Sequence, residues 1–144
     1  MEELDDFRSE TPQAHYQYTD GVLRITLKHD LIIDLRTAQK IEHFRLEMTR
    51  GYAIPVMLVI PGDYLLLDPE AFRYFTSEQA MQGCSALAMV IDAPLRVLLR
   101  NFSLLFQRMQ SPIRIFTKRK EAMMWLFDTA VKSEIEPEAE SESV

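Results

Sequence analysis

Apolar and polar residues change their spacing several times along the chain, and each change marks an element. His15-Tyr16-Gln17-Tyr18 alternates in the manner of a strand. Asp20-Gly21 follows, and both residues tolerate positive φ, which is a strong hairpin signal. Val22 to Lys28 alternates again, with Leu23, Ile25 and Leu27 on one face. The pattern predicts an opening β-hairpin with one solvated face. Leu35, Ala38, Ile41, Phe44 and Met48 then recur at helical spacing, with Arg36, Lys40, Glu47 and Arg50 toward water. Asp34 is a suitable N-cap and Gly51 a plausible stop.

Pro55 to Ile60 is a continuous apolar run, as in a strand buried on both faces. Asp68-Pro69-Glu70 opens a second helix with an N-cap, a proline at the first position and an acid in the first turn. Phe72, Phe75 and Met81 are its apolar residues, and Gly83 is expected to close it. Ala86 to Ile91 is another buried strand. From Pro94, a helix carries the stripe Leu95, Leu98, Leu99, Phe102, Leu105, Phe106 and Met109, with Val97 and Leu104 flanking it. Pro112 breaks that helix. Ile113 to Thr117 is a short strand, and a last helix from Lys118 to Lys132 buries Ala122, Trp125, Leu126 and Ala130. The order β-β-α-β-α-β-α-β-α predicts an α/β domain: a small mixed sheet with an antiparallel edge strand and covering helices.

Charge changes this picture at both ends. The chain has 144 residues and a formal net charge of −6. Residues 1–12 carry −4 and 133–144 carry −5, which leaves 13–132 at +3. The expected organisation is an acidic flexible N-terminal tail (1–12), one domain (13–132) and an acidic disordered C-terminal tail (133–144). The length suits a single domain. Cys84 is the only cysteine, so no internal disulfide can form. No apolar run approaches the length of a membrane span, and the acidic start lacks a signal-peptide core. A cytoplasmic, non-membrane protein is expected.

Candidate chemistry is sparse. His15, His29 and His43 are scattered, and no metal-ligand spacing is present. His43 and Glu47 are one turn apart and read as a surface ion pair. Cys84 reads as a small buried residue rather than a nucleophile. No Gly-rich phosphate loop exists. No catalytic, cofactor or metal residues are assigned, and an enzyme is not expected. The anomaly is basic: from Arg96 to Lys120 there is no acid, while Arg96, Arg100, Arg108, Arg114, Lys118, Arg119 and Lys120 are all present. A solvated face is one reading. A face for an anion or an acidic partner is the other. Nucleic acid is not expected, because no recognised reading motif accompanies the charge.

The order of elements resembles that of STAS domains, the anti-sigma-factor-antagonist-like fold. More narrowly, Asn101-Phe102, Pro112, Arg114, Phe116-Thr117, Glu121-Ala122 and Trp125-Leu126 resemble the C-terminal half of a family of small bacterial STAS-like proteins. That family is related by fold to CRAL-TRIO lipid-binding domains and has no established function. In regulatory STAS members, a phosphorylatable serine opens the helix after the third strand. The matching stretch here, Asp68-Pro69-Glu70-Ala71, has no hydroxyl. Asp68 and Glu70 are thus the candidate regulatory position, with an acid where a phosphate would sit. The expected function is a non-catalytic module that binds another protein or itself, through the helix from Pro94 and its arginines. The alternative is a carrier of a small ligand or acidic lipid, with a pocket between sheet and helices.

Overall fold

The computed structural model describes residues 4–28, 32–61, 66–91 and 113–135. Strands β1 (Phe7–Glu10), β2 (Ala14–Thr19) and β3 (Val22–Leu27) form an antiparallel meander. Asp20 and Gly21 join β2 to β3 with φ of 54° and 77°, so both centre residues of the turn are left-handed. Such a turn matches the twist of the strands it connects. Leu23, Ile25 and Leu27 are buried, while Arg24 and Thr26 keep partial exposure on the other face.

Strand β5 (Ile54–Ile60) runs parallel to β3, β7 (Cys84–Ile91) parallel to β5, and β8 (Ile113–Phe116) parallel to β7. The six-stranded sheet has the order β1-β2-β3-β5-β7-β8. The register of β5 on β7 shifts between Ile54 and Pro55. Proline has no amide hydrogen for the ladder, and irregularities are where sheets accept it. A separate parallel pair joins β4 (Ile32–Ile33) to β6 (Leu66–Leu67). Each leads directly into a helix: β4 into α1 (Leu35–Met48) and β6 into α2 (Pro69–Phe75). The two caps therefore follow matched positions. Asp34 Oδ1 accepts from the Thr37 amide at 2.8 Å, and Asp68 Oδ1 from the Glu70 amide at 2.9 Å.

The helices cover opposite faces. Ala38 and Ile41 of α1, with Ala71, Phe72 and Phe75 of α2, pack on Leu23, Ile25, Val56, Leu58, Leu87 and Met89. The last described helix, α3 (Arg119–Ile135), lays Ala122 and Leu126 on Met57, Val59, Ala86, Ala88 and Val90. This is a mixed α/β fold, as the sequence predicts, although the order of elements is richer than predicted.

Three differences have physical causes. Residues 7–10, read from the sequence as part of an acidic tail, form the edge strand β1. Phe7 stacks on Tyr18 at 5.7 Å. On the other face, Glu10 meets Lys28 Nζ at 2.8 Å and His15 Nδ1 at 3.0 Å, tying three strands together. Second, α2 ends at Phe75 rather than at Gly83. The Thr76 and Ser77 hydroxyls donate back to carbonyls of the last turn, and the chain turns away through residues 76–83. Third, the short strands β4 and β6 were not expected. The helix predicted from Pro94 lies outside the described residues.

Gly83 closes the 76–83 turn at φ +68°, and a Cβ there would lie 3.0 Å from Leu46 Cδ2. Gly21 has a similar φ of +77°, but its Cβ would meet nothing within 4 Å. Gly83→Ala is expected to cost about 1–3 kcal/mol in urea unfolding, and clearly more than Gly21→Ala. Equal costs would show that α1 gives way freely at Leu46.

Candidate functional site

Two arrangements of polar and exposed residues stand out, one inside the protein and one on its surface. The first begins on α1. Ala38, Ile41, Glu42 and Arg45 are its buried residues, at the spacing of one helical face. Two of the four are charged. Arg45 is 1% exposed and donates from Nε to Glu42 Oε2 at 2.5 Å. Its remaining nitrogens reach across to the 76–83 turn. Nη1 donates to the Gly83 carbonyl at 3.0 Å, and Nη2 to those of Ala80 at 2.9 Å and Gln82 at 2.7 Å. A guanidinium keeps its proton in any protein environment, so its burial demands this density of acceptors.

The neighbouring titratable groups feel the same interior. Burial pushes the Glu42 carboxyl above its ordinary value, while the Arg45 guanidinium pulls it back. Burial also pushes the Cys84 thiol up to about 12. The Tyr16 phenol is likewise pushed up to about 12 by burial, against a smaller pull from the Thr11 hydroxyl. That hydroxyl is engaged by the amides of Gln13 and Ala14, and Tyr16 Oη has no hydrogen-bond partner. Burial thus holds the Tyr16 phenol and the Cys84 thiol in their neutral forms.

The second arrangement is on α3 and β8. Arg114, Lys118, Arg119 and Lys120 are all exposed, as their place in the acid-free stretch suggests. The Arg114 guanidinium lies over the Phe116 ring at 5.7 Å, and that ring meets Trp125 at 5.8 Å. Beyond them, Met124 is 57% and Phe127 43% exposed. Lys120, Met124 and Phe127 follow one another at helical spacing on the side of α3 opposite Ala122 and Leu126. Large apolar side chains aligned on a helix beside cations suit a contact with another molecule.

The other sequence candidates fall out as follows. Arg96, Arg100 and Arg108 lie outside the described residues. Asp68 is engaged as the cap of α2, and Glu70 is exposed in its first turn. His43 pairs with Glu47 at 2.9 Å on the surface of α1, as its spacing predicts. Among the described residues, no three His, Cys, Asp or Glu side chains gather as a metal site would need. No helix among them is long and apolar enough to cross a membrane. Sequence reasoning missed Glu42, Arg45, Met124 and Phe127. The α1 stripe could have exposed the first two, since both occupy positions where apolar residues belong. Met124 and Phe127 are the apolar residues of α3 that its buried stripe does not use.

Comparison with known sequences adds one identification. The profile of a family described as a domain of unknown function (DUF7793) matches residues 16–130. The chain belongs to that family. Comparison with curated proteins finds no match. The DUF7793 span includes the Arg45 network and the exposed residues of α3, while β1 precedes it.

Two outcomes follow from the interior network. Arg45→Met leaves Glu42 buried without its cation, and is expected to cost about 3–5 kcal/mol in urea unfolding. The double variant Glu42→Leu/Arg45→Met removes the stranded charge but not the need of three carbonyls for donors. It should stay more than about 1 kcal/mol below the parent protein, and full recovery would show that the carbonyl contacts contribute nothing. With its thiol near 12 against an ordinary 9.0, Cys84 should react with iodoacetamide at pH 8 on the order of a hundredfold slower than in the urea-unfolded chain. Comparable rates would contradict that shift.

Proposed function

We propose that this domain is a non-catalytic interaction module that binds protein through the outer face of α3 and the neighbouring Arg114 of β8. The observation that carries the reading is the exposed alignment of Lys120, Met124 and Phe127. An isolated exposed apolar residue is ordinary on a protein surface. Two large ones a turn apart, flanked by Lys118, Arg119 and Lys120, form a surface with an apolar centre and a charged rim, which is the usual anatomy of a protein contact.

The interior supports the same reading. Burial raises the pKa of Tyr16, Glu42 and Cys84, and Glu42 pairs with an arginine that is occupied in holding backbone. A general acid or nucleophile works when its pKa is brought toward the working pH. Tyr16 and Cys84 are moved the other way. A STAS-like relationship fits the parallel β3-β5-β7-β8 ladder with its preceding hairpin. The helix opened by Asp68-Pro69-Glu70 would then lack the phosphorylatable serine of regulatory members, leaving a module that is not switched at that position. The lone cysteine favours a reducing compartment such as bacterial cytosol.

Native mass spectrometry on chain gently purified from its own cells tests the reading. The parent protein is expected to carry a second protein or a second copy. Met124→Ser/Phe127→Ser should reduce that complex by about tenfold or more with thermal stability unchanged, because both side chains point to solvent. A bare monomer for the parent protein, or a complex indifferent to both substitutions, would overturn it.

A further inference from the structure

We infer that the outer edge of β1 is a further contact, at which two copies of the chain pair their β1 strands antiparallel about a two-fold axis at Ser9. The inference is separate from the reading of α3, which packs on β5 and β7, away from the β1 end of the sheet.

The backbone gives the contact. Strand β1 ends the six-stranded sheet on one side. Bonded and non-bonded pairs alternate along an antiparallel ladder. The Thr11 amide donates to the Ala14 carbonyl at 2.9 Å, so the bonded pairs farther along are Ser9 with Tyr16 and Phe7 with Tyr18. The far side of β2 agrees. There the Lys28 amide donates to the Gln13 carbonyl at 3.0 Å, which leaves the even positions of β2 to β1. The amides and carbonyls of Arg8 and Glu10 therefore point away from β2, in the plane of the sheet. Such a row is a template for another strand, and proteins often blunt it with a proline, a bulge or a lysine. Strand β1 has none of these, and its register on β2 is unbroken.

The charges give the partner and the register. Between Leu4 and Pro12 the charged residues are Asp5, Asp6, Arg8 and Glu10. A second copy can use the outward backbone groups only where even positions meet even positions. An axis at Arg8 sets that residue against itself and Asp6 against Glu10. An axis at Glu10 sets two glutamates together. An axis at Phe7 pairs Arg8 with Asp6, which precedes the strand. An axis at Ser9 pairs Arg8 of each copy with Glu10 of the other, all within the strands. Asp6, which accepts from the Thr19 hydroxyl at 3.5 Å, then falls toward uncharged Pro12, and Asp5 toward Gln13. Arg8 and Glu10 form a square of alternating charge. Opposite charges across strands stabilise, and like charges repel. A strand whose charges match its own reverse is the self-complementary patch that a two-fold dimer requires.

The side chains permit that approach. Ser9, at the axis, is small, and Phe7 is occupied by its stacking on Tyr18. Arg8 is exposed and makes no ion pair with the described residues. Glu10 is oriented by Lys28 and His15 of its own copy. The Lys28 hydrogen bond and charge hold the Glu10 carboxyl below its ordinary value, so it is ionised at neutral pH. Its carboxylate keeps lone pairs for a guanidinium. A four-residue edge is a small contact, so a dissociation constant on the order of 10 μM is expected.

The test uses the full chain. Sedimentation equilibrium of the parent protein is expected to show monomer and dimer in exchange, weakened about tenfold or more by Arg8→Glu and by Arg8→Pro. The first sets a glutamate against Glu10. The second removes an outward amide that β2 does not use. Met124→Ser/Phe127→Ser should leave the dimer unchanged, which separates this contact from binding at α3. Ser9→Cys sets two thiols across the axis, within reach of a disulfide, and should form a covalent dimer on mild oxidation. Gln17→Cys lies one strand in, about 14 Å or more from its counterpart, and should not. The parent protein is the blank for Cys84. A parent protein that stays monomeric at about 0.3 mM overturns the inference. So does a dimer indifferent to Arg8→Pro, a dimer lost on Met124→Ser/Phe127→Ser, or Ser9→Cys cross-linking no better than Gln17→Cys. Should an Arg8 variant unfold, the two cysteine variants decide.

Discussion

An arginine in the interior fixes the relation between the first helix and the centre of the sheet. Arg45 is held by Glu42 on its own helix and by the carbonyls of Ala80, Gln82 and Gly83. Strand β7 begins at the residue after Gly83. The guanidinium therefore anchors the chain at its entry to the central parallel pair, and α2 must finish early enough for the turn to reach it. A buried ion pair is a weak source of net stability, since desolvation cancels much of the attraction. The geometry supplies specificity instead. The buried carbonyls of Ala80, Gln82 and Gly83 must find donors, and a rigid planar fork offers them from one side chain.

The two faces of the sheet use different chemistry. Under α1 and α2 the core is aromatic and branched, with Tyr16 against Phe44 at 5.0 Å and Phe72 and Phe75 fully enclosed. That face includes an unpartnered Tyr16 hydroxyl, whose burial costs about 1–3 kcal/mol, so its packing has stability to spare. Under α3 the contacts are small, with Ala86, Ala88 and Ala122 allowing the helix to lie close. A helix seated on alanines leaves its larger residues for the outside. Trp125 is half-buried toward Phe116, and Met124 and Phe127 point away. The position of the exposed apolar pair thus follows from the small residues beneath the helix.

Local chemistry was legible in the sequence and distant chemistry was not. The Asp20-Gly21 turn, both aspartate caps and the burial of β5 and β7 depend on neighbouring residues, and their signals are short. Strand β1 depends on Tyr18, His15 and Lys28, while Phe7-Arg8-Ser9-Glu10 by itself looks like the acidic stretch around it. The turn after α2 is held by an arginine more than thirty residues earlier, which no local propensity reports. The candidate surface was half legible. Its cations announced themselves through the missing acids. Its apolar centre did not, because Met123 to Phe127 is one apolar run in which only the helical angle separates core from surface.

That angle also bears on how the charges of α3 should be understood. Cations at a helix start are ordinarily avoided, and acids are favoured there. Both other described helices follow the rule, each opening on a capping aspartate. The third is mixed, with Lys118, Arg119 and Lys120 at its start and Glu121 in its first turn. Exposed charges of both signs within one turn largely offset one another against the macrodipole. Stability of the helix therefore gives no reason for the three cations, and they count as the exposed border of Met124 and Phe127.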